Sequence, residues 1–303
     1  MKKILVFYSY KKHKTGYYKT LFSRLNEGAK KHNLKLFQGS VKDLRISIQN
    51  NKLCVVEALT NQPLNNFDVV YFELWSKAPQ HALAAAIFLH NTNTPFITSE
   101  MTQVMSTSKL GEMAKMTSVN LPMPDSYFAN NKDLLEFSKQ KDAFISFPMI
   151  VKNTETFGGQ DNYLVKNSVE LEKILAQHPK VQFVLQQFIP NDCDYRVLVF
   201  GGKIRAIMRR TAVKGSHLNN TSAGGEGEML PLNSLSPEIC TDVLMAAKVT
   251  NREELAGVDV VIDKNTNKHY ILEVNQAPGI ELGEHTEVKM DAFFSYIKEL
   301  ANQ

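Results

Sequence analysis

The chain has 303 residues, a hydrophobic content of 43%, a charged content of 22% and a formal net charge of +4. These values are ordinary for a globular protein, and the scattered basic excess is too small to indicate nucleic-acid binding. Its three cysteines have no paired spacing that would indicate disulfides or zinc, and without a membrane-length apolar run or a signal-peptide core we expect a cytoplasmic protein.

In the first hundred residues, apolar runs alternate with helical patterns. The predicted strands are Lys3–Tyr8, Leu53–Ala58, Phe67–Leu74 and Pro95–Thr98, and the predicted helices are Tyr17–His32 and Pro79–His90. This alternation predicts a doubly wound parallel sheet, and the glycine fingerprint of dinucleotide-binding proteins is absent from it. Polar residues near the strand ends are ligand candidates, although each is also typical of a solvated loop: Lys12, His13, Lys14 and Lys77.

The composition of the chain changes from Met101, where a methionine-rich helix is predicted. We expect its methionines to pack in the core. Predicted strands at Phe147–Lys152 and Tyr163–Lys166 then flank a polar loop that contains Gly158-Gly159. A glycine pair lets backbone N–H groups approach a phosphate, but it is equally typical of a hairpin turn. Lys152 ends a buried type of strand, where an unpaired ammonium would be costly, so we expect an anion beside it.

A first charged hairpin is predicted from strands at Asp194–Phe200 and Lys203–Arg210. A three-residue loop centred on Gly202 would place Asp194 opposite Arg210, with Arg196 on the same side of the sheet. The alternative interpretation is a surface ion pair of small energetic value. A polar, glycine-rich loop follows at residues 214–225, and helices are predicted at Ser236–Val249, capped by Ser236, and at Thr286–Leu300.

A second hairpin joins Gly257–Asp263 to His269–Asn275. If it turns about Thr266, Asp259 lies opposite Glu273, and Asn275 projects from the same face as Glu273. Two carboxylates and an amide oxygen are the hard donors that suit Mg²⁺. An edge hairpin with solvated acidic residues is the alternative interpretation of this stretch alone.

Taken in order, these motifs resemble the ATP-grasp superfamily, and within it the RimK-type carboxylate–amine ligases. These include ribosomal-protein glutamate ligases and share the ATP-binding fold of glutathione synthetase. The most specific motifs are Gly257-Val258-Asp259, Leu272-Glu273-Val274-Asn275 and Pro278-Gly279, supported by Asp194-Tyr195-Arg196 and by the loop from Asn220 to Gly225. The resemblance covers the whole chain and is strongest from Lys109 onward. It implies an α/β fold, with a doubly wound parallel sheet in residues 1–100 followed by two α+β ATP-grasp subdomains, at residues 101–189 and 190–303.

The resemblance also implies roles for individual residues. The positions that would bind the nucleotide are Lys109, Lys152, Gly158, Gly159, Gln187, Phe188, Ile189, Asp194 and Asn219. The catalytic positions, which would face the transferring phosphoryl group and the acyl phosphate, are Arg196, Arg210 and Asn220. The implied metal ligands for two Mg²⁺ ions, or for Mn²⁺ in their place, are Asp259, Glu273 and Asn275, with Glu273 bridging.

The activity implied by the resemblance is ATP-dependent formation of an amide or peptide bond. A carboxylate is first phosphorylated to an acyl phosphate, and an amine then displaces phosphate, so that ADP and phosphate are the products. The acceptor could be an amino acid, a peptide or protein terminus, or a ribosomal peptide that is cross-linked through its side chains. No nucleic-acid or membrane partner is implied, and homo-oligomers occur among such ligases.

Two alternatives from other classes stay open at this point. One is a catalytically silent, ATP-binding regulator on the same fold, which has less need of a two-metal arrangement. The other is a dinucleotide-dependent enzyme, for which the glycine fingerprint is absent.

The chain also departs from the family pattern. Gln187 stands where an acidic hinge residue is usual, Leu218 where glutamate-adding relatives have arginine, and Asp161-Asn162 in place of a second spaced glycine. Gln276-Ala277 replaces a more usual small-polar pair. Leu218 weakens the case for free glutamate as the substrate, and Gln187 leaves the nucleotide preference open. None of these departures removes a metal ligand or a phosphate lysine.

Overall fold

The computed structural model describes residues 1–9, 16–49, 52–76, 78–99, 109–129, 131–153, 161–212 and 225–303. The strands are β1 Lys2–Ser9, β2 Leu34–Ser40, β3 Arg45–Gln49, β4 Lys52–Glu57, β5 Gln62–Pro63, β6 Val69–Tyr71, β7 Phe96–Ile97, β8 Ser126–Phe128, β9 Met149–Asn153, β10 Asn162–Val165, β11 Phe183–Gln187, β12 Asp194–Phe200, β13 Lys203–Thr211, β14 Glu226–Leu230, β15 Leu255–Ile262 and β16 His269–Asn275. The α-helices are α1 Gly16–Lys31, α2 Pro79–Asn91, α3 Lys109–Thr117, α4 Asn131–Ser138, α5 Ser168–Gln177, α6 Pro237–Val249 and α7 Thr286–Leu300. Across the described ranges, no helix combines the length and the apolar character needed to cross a membrane.

The N-terminal sheet is parallel, with strand order β2-β1-β6-β7. Successive side chains of β1 point to opposite faces, as the pleat of a strand requires. Ile4 and Val6 pack in a core that contains α1 and α7, whereas Leu5 and Phe7 pack in a core that contains α2. Helices therefore cover both faces, and the predicted doubly wound parallel sheet is confirmed.

The predicted strand at Leu53–Ala58 belongs to a different sheet. It corresponds to β4, which pairs antiparallel with β3 and β5 in a small three-stranded sheet. Only residues 50 and 51 separate β3 from β4, and a parallel pair would need a crossover connection of about a dozen residues or more. The location of the strand was therefore predicted correctly, but its place in the parallel sheet was wrong.

The central part of the chain forms an antiparallel sheet with the order β10-β9-β11-β8. Helices α4 and α5 pack on it around a separate core that includes Leu134, Val151, Leu171 and Leu185. Asn167 caps α5 by accepting a hydrogen bond from the backbone N–H of Glu170.

The C-terminal part forms a five-stranded antiparallel sheet, with the order β14-β13-β12-β15-β16. One face packs against α6, which Ser236 caps as predicted by accepting from the N–H of Ile239 at 3.3 Å. The other face carries Leu198 and Phe200 into the core shared by α7 and the N-terminal sheet. Met116 of α3 is buried in the α6 core, so α3 is held against this sheet. The division at residues 100 and 189 stays a prediction.

Candidate active site

A bulge sets the register of the first charged hairpin. Gly201 and Gly202, both with positive φ, form a two-residue turn in which Phe200 pairs with Lys203. The register then shifts by one residue at Arg205, so that Asp194 pairs with Arg210. The predicted pairing is confirmed, but it arises from a two-residue turn and a bulge rather than from a three-residue loop.

A bulge also sets the register of the second charged hairpin. Ile262 pairs with His269, and an extra residue at Leu272 shifts the register so that Asp259 pairs with Glu273. Without this bulge Asp259 would lie opposite Leu272, and the acidic residues would be out of register. The predicted juxtaposition of Asp259 and Glu273 is therefore confirmed.

These registers bring four charged side chains together on β12, β13 and β15. The Arg196 guanidinium donates to both carboxylate oxygens of Asp259, from Nε at 2.8 Å and from Nη2 at 2.7 Å. Arg210 donates in the same way to Asp194, at 2.7 and 2.8 Å, and its Nη2 lies 3.1 Å from Asp259 Oδ2. The Arg210 side chain is 2% exposed and that of Arg196 is 19% exposed, so Arg196 is the one that solvent or a ligand can reach.

The predicted metal ligands lie next to this cluster. The Asn275 amide donates to Asp259 Oδ2 at 3.2 Å and to Glu273 Oε1 at 3.1 Å. Burial raises the pKa of Asp259, but the charges of Arg196 and Arg210 outweigh it and hold that pKa down at about 2, so the group is a carboxylate at neutral pH.

The donor set fits Mg²⁺ bound together with a nucleotide. Mg²⁺ in such sites takes one or two carboxylates, and substrate phosphates and water complete its octahedron. Asp259 and Glu273 supply two carboxylates, and rotation of the Asn275 amide would present its oxygen to the same place. Within the described ranges, no three or more His, Cys, Asp and Glu side chains are grouped to hold a metal by themselves. Phosphate oxygens of a bound nucleotide and water would fill the remaining coordination positions of Mg²⁺.

A cleft of about 360 Å³, counted with its open mouth, separates β16 and α3 from the central sheet. The lining residues are Lys109, Glu112, Met113, Met116, Lys152, Val184, Gln186, Leu272 and Glu273. Both predicted phosphate lysines and the predicted bridging carboxylate thus face the same space.

The two lysines are held by neighbours in the cleft. Lys152 Nζ donates to Gln186 Oε1 at 2.7 Å, and Lys109 Nζ donates to the carbonyl of Asn153 at 3.1 Å. Burial lowers the pKa of Lys152, and the nearby Glu273 carboxylate opposes that shift. An anionic ligand in the cleft would oppose it further, as expected from the position of this lysine at the end of a buried strand.

The remaining predicted residues are placed as follows. Gln187 ends β11, and its N–H donates to the carbonyl of Asp125 at 2.8 Å, while Phe188 is half-buried and Ile189 buried just beyond it. The predicted residues Gly158, Gly159, Asn219 and Asn220 lie outside the described residues. So do Leu218 and the four weaker ligand candidates, Lys12, His13, Lys14 and Lys77.

Six of the nine lining residues are absent from the predicted set of site residues: Glu112, Met113, Met116, Val184, Gln186 and Leu272. Gln186 is buried on β11, and its amide also donates to Ser126 Oγ at 3.0 Å. Its side chain alternates with that of Gln187, so only one of the two can face Lys152. The signal that would have identified Gln186 is the pairing of β9 with β11, in which Lys152 lies opposite Val184, two residues before Gln186.

We expect Gln186→Leu to weaken ATP binding by about tenfold, because Lys152 would lose the acceptor that orients it and would be buried beside an apolar group. Ser126→Ala is the matched control, since it removes the other hydrogen bond of Gln186 and leaves the bond to Lys152. Titration calorimetry with both variants measures the effect. Equal affinities for the two variants would contradict this role for Gln186.

A lysine of α7 holds the turn that follows β16. Lys289 is buried, and its Nζ donates to the carbonyls of Gly279 at 2.9 Å and Leu282 at 2.5 Å. A Cβ added to Gly257 would lie 2.7 Å from Pro278 Cβ, so the Gly257 and Pro278 motifs are in contact and only glycine fits under the proline. This packing fixes the path of the chain beyond Asn275.

Lys289 makes folding stability depend on pH in the alkaline range. Burial lowers its pKa from 10.5 to about 8, and Glu281 opposes the shift. Between these values the unfolded chain holds a proton that the folded chain has released, so stability rises with pH across this window. We expect wild type to gain about 1–2 kcal/mol relative to Lys289→Met, after allowance for solvent screening. Urea unfolding from pH 7.5 to 10.5 tests this, and parallel pH profiles for the two proteins would contradict it.

Comparison with known proteins places the chain. A profile of the RimK-like ATP-grasp domain matches residues 107–298. A probable alpha-L-glutamate ligase from Marinomonas sp. (strain MWYL1) is 27% identical over 225 residues, which is 73% of this chain and 72% of the relative. Another from Shewanella pealeana (strain ATCC 700345 / ANG-SQ1) is 27% identical over 226 residues, or 72% of this chain and 47% of that longer protein. The match thus spans about half the length of the longer relative.

Solved structures agree with the fold. The ATP-grasp ligase PsnB complexed with minimal precursor, Mg and ADP has a TM-score of 0.70 at 14% identity, over 99% of this chain and 98% of that chain. A RiPP-associated ATP-grasp ligase from Chryseobacterium gregarium, in complex with ADP and a leader and core peptide, has a TM-score of 0.62 at 15% identity, over 96% of each chain. The predicted ATP-grasp fold is confirmed, and because the domain profile matches most of its length, the chain belongs to the RimK-like ATP-grasp family.

Proposed function

We propose that this ATP-grasp ligase joins a carboxylate to an amine through an acyl phosphate and releases ADP and phosphate. The observation that carries the proposal is the shared cleft, in which Lys109 and Lys152 face Glu273 across the space that also adjoins Asp259 and Asn275. Phosphoryl transfer requires that the protein positions the reactants and places cations near the oxygens of the transferring phosphoryl group. This arrangement supplies both.

Each side chain has a role in this proposal. Lys109 and Lys152 hold the phosphates of ATP, and the backbone at Gln187, Phe188 and Ile189 holds the adenine. Asp259, Glu273 and Asn275 hold two Mg²⁺ ions, which Mn²⁺ can replace. Bound Mg²⁺ would neutralise charge on the phosphate oxygens.

The two arginines divide the remaining work. Arg196 is the more exposed, so it contacts the substrate carboxylate and the phosphoryl group. Arg210 acts from the buried side, where it pairs with Asp194 and Asp259 and holds both carboxylates in place. Four further assignments rest on the family resemblance alone: Gly158, Gly159, Asn219 and Asn220.

The proposed reaction has two steps. A carboxylate oxygen attacks the γ-phosphorus of ATP, the bond from phosphorus to the ADP oxygen breaks, and an acyl phosphate forms. The amine nitrogen then attacks the acyl carbon, a C–N bond forms, and phosphate leaves as the amine proton passes to water. The protein needs no nucleophilic side chain for either step.

The proposed substrates of this ligase are amino acids and peptides. The curated relatives are named alpha-L-glutamate ligases, whereas the structural relatives are named as complexes with a precursor or with a leader and core peptide. For this chain we therefore propose two substrate classes, a free amino acid and an acidic residue within a peptide.

Magnesium-dependent ADP release in the presence of hydroxylamine tests the proposal, across amino acids, small diacids and acidic peptides. Hydroxylamine intercepts an acyl phosphate as a hydroxamate, so the natural amine need not be known. We expect one carboxylate class to stimulate ADP release and to yield its hydroxamate. Tight ATP binding without any carboxylate-dependent ADP release would instead support a silent ATP-binding regulator.

A further inference from the structure

The end of helix α6 fixes the backbone of a buried arginine. Asn251 has a φ of 58°, in the left-handed region, and its N–H donates to the carbonyl of Lys248 at 3.0 Å. The N–H of Arg252 donates to the carbonyl of Ala247 at 2.8 Å, which completes a Schellman motif. Residues at the position of Arg252 in this motif frequently make an apolar contact with the helix. An arginine buried there needs specific partners.

The partners of Arg252 belong to two walls of the cleft. Its Nη2 donates to Glu112 Oε1 on α3 at 2.7 Å, and its Nη1 donates to the carbonyl of Val274 on β16. Glu112 lies one helical turn after Lys109, and Val274 lies between two of the proposed metal ligands. One planar guanidinium therefore ties the helix that carries a phosphate lysine to the strand that carries the metal-site carboxylate.

The same contact balances a charge inside the cleft. Glu112 lines the cleft beside Lys109, Lys152 and Glu273. An uncompensated carboxylate at this place would repel the phosphates of a nucleotide. Arg252 compensates it, and both side chains of the pair are almost fully buried, with 6% exposed for Arg252 and 11% for Glu112.

We propose that Arg252 is a positioning residue for the nucleotide cleft, which sets the spacing between α3 and β16 and hence between Lys109 and Glu273. The inference rests on the proposed function, in which these two residues serve the phosphates and Mg²⁺. Arg252 does not reach the cleft space itself, so it acts through Glu112 and the Val274 carbonyl. The role calls for a forked, planar donor, and a lysine can satisfy only part of it.

Binding of Mg·ADP to the purified full chain, together with thermal unfolding, tests the proposal. We expect Arg252→Met to weaken Mg·ADP binding by about tenfold or more, and Arg252→Lys by about three- to tenfold. Arg205→Met is the matched control, because Arg205 donates to both oxygens of Glu299 at 2.7 and 2.5 Å, away from the cleft. It should lower Tm while leaving the Kd of Mg·ADP within about twofold of wild type.

A double variant separates positioning from a purely structural role. Glu112→Leu with Arg252→Met replaces the buried ion pair by apolar side chains, a change that often preserves stability. We expect Tm to return close to that of wild type and the Kd of Mg·ADP to stay raised, because nothing then links α3 to the Val274 carbonyl. If Arg252→Met alone is too unstable to titrate, the Kd of Mg·ADP is compared between wild type, the double variant and Arg252→Lys.

Two results would overturn the inference. One is a wild-type Kd in Arg252→Met, and the other is recovery of both Tm and Kd in the double variant. Failure of the proposed function would look different, because it would appear in wild type itself, either as Mg·ADP binding without carboxylate-dependent ADP release or as no binding at all.

Discussion

Replacing Glu273 by alanine is expected to lower kcat by about 10²–10³-fold while weakening ATP binding much less. In the proposed reaction Glu273 would hold Mg²⁺ near the transferring phosphoryl group, where negative charge is redistributed in the transition state. Its place supports this role, because it lines the cleft with both lysines and lies opposite Asp259 on the neighbouring strand. Steady-state kinetics and nucleotide titration on the same preparation separate the two effects.

A matched control is available on the same sheet. Glu228 on β14 pairs with Arg209, and both of these side chains are about half exposed. Glu228→Ala should leave kcat unchanged and alter the free energy of unfolding by less than about 1 kcal/mol, as is usual for surface ion pairs. Near-normal turnover in Glu273→Ala would refute this metal-binding role.

Replacing Arg210 by methionine is expected to cost about 3–5 kcal/mol of folding stability and to abolish most activity. The guanidinium is almost fully buried, and it holds Asp194 at 2.7 and 2.8 Å and Asp259 at 3.1 Å. Without it, the buried Asp194 carboxylate would lose the guanidinium that donates to both of its oxygens, and Asp259 would lose one of its two arginine partners. Urea unfolding at neutral pH measures the loss of stability.

The neighbouring residue on β13 provides the comparison for this variant. Arg209 is about half exposed and pairs with Glu228, so Arg209→Met should cost less than about 1 kcal/mol. A similar, small loss for both arginine variants would show that the buried cluster does not stabilise the fold.

The registers of the two charged hairpins could be predicted from the sequence, because few registers place their charged residues opposite one another. A one-residue slip moves every side chain to the other face, so Asp194 with Arg210, and Asp259 with Glu273, each constrain a whole hairpin. The bulges at Arg205 and Leu272 could not be predicted from the sequence. A bulge in the strand and one more residue in the turn would give the same pairing of the charged residues. The consequence is that the pairing of these charged side chains was predicted correctly and the local backbone was not.

Other parts of the site depend on contacts that no local pattern contains. Gln186 meets Lys152 only because β9 pairs with β11, and these strands lie about thirty residues apart. Arg252 stands in the stretch Asn251-Arg252-Glu253-Glu254, a charged run that is typical of a solvated loop. Its burial follows from the end of α6 and from Glu112, which is 140 residues away in sequence.

The transfer of oxygen from the carboxylate to phosphate tests the central claim most directly. A carboxylate identified by the hydroxylamine assay is labelled with oxygen-18 and ligated to its amine with Mg·ATP, and the released phosphate is analysed by mass. An acyl phosphate leaves one of the labelled oxygens on phosphorus, so we expect each phosphate to carry a single oxygen-18 atom. Amide formation with unlabelled phosphate would contradict activation of the carboxylate by phosphorylation.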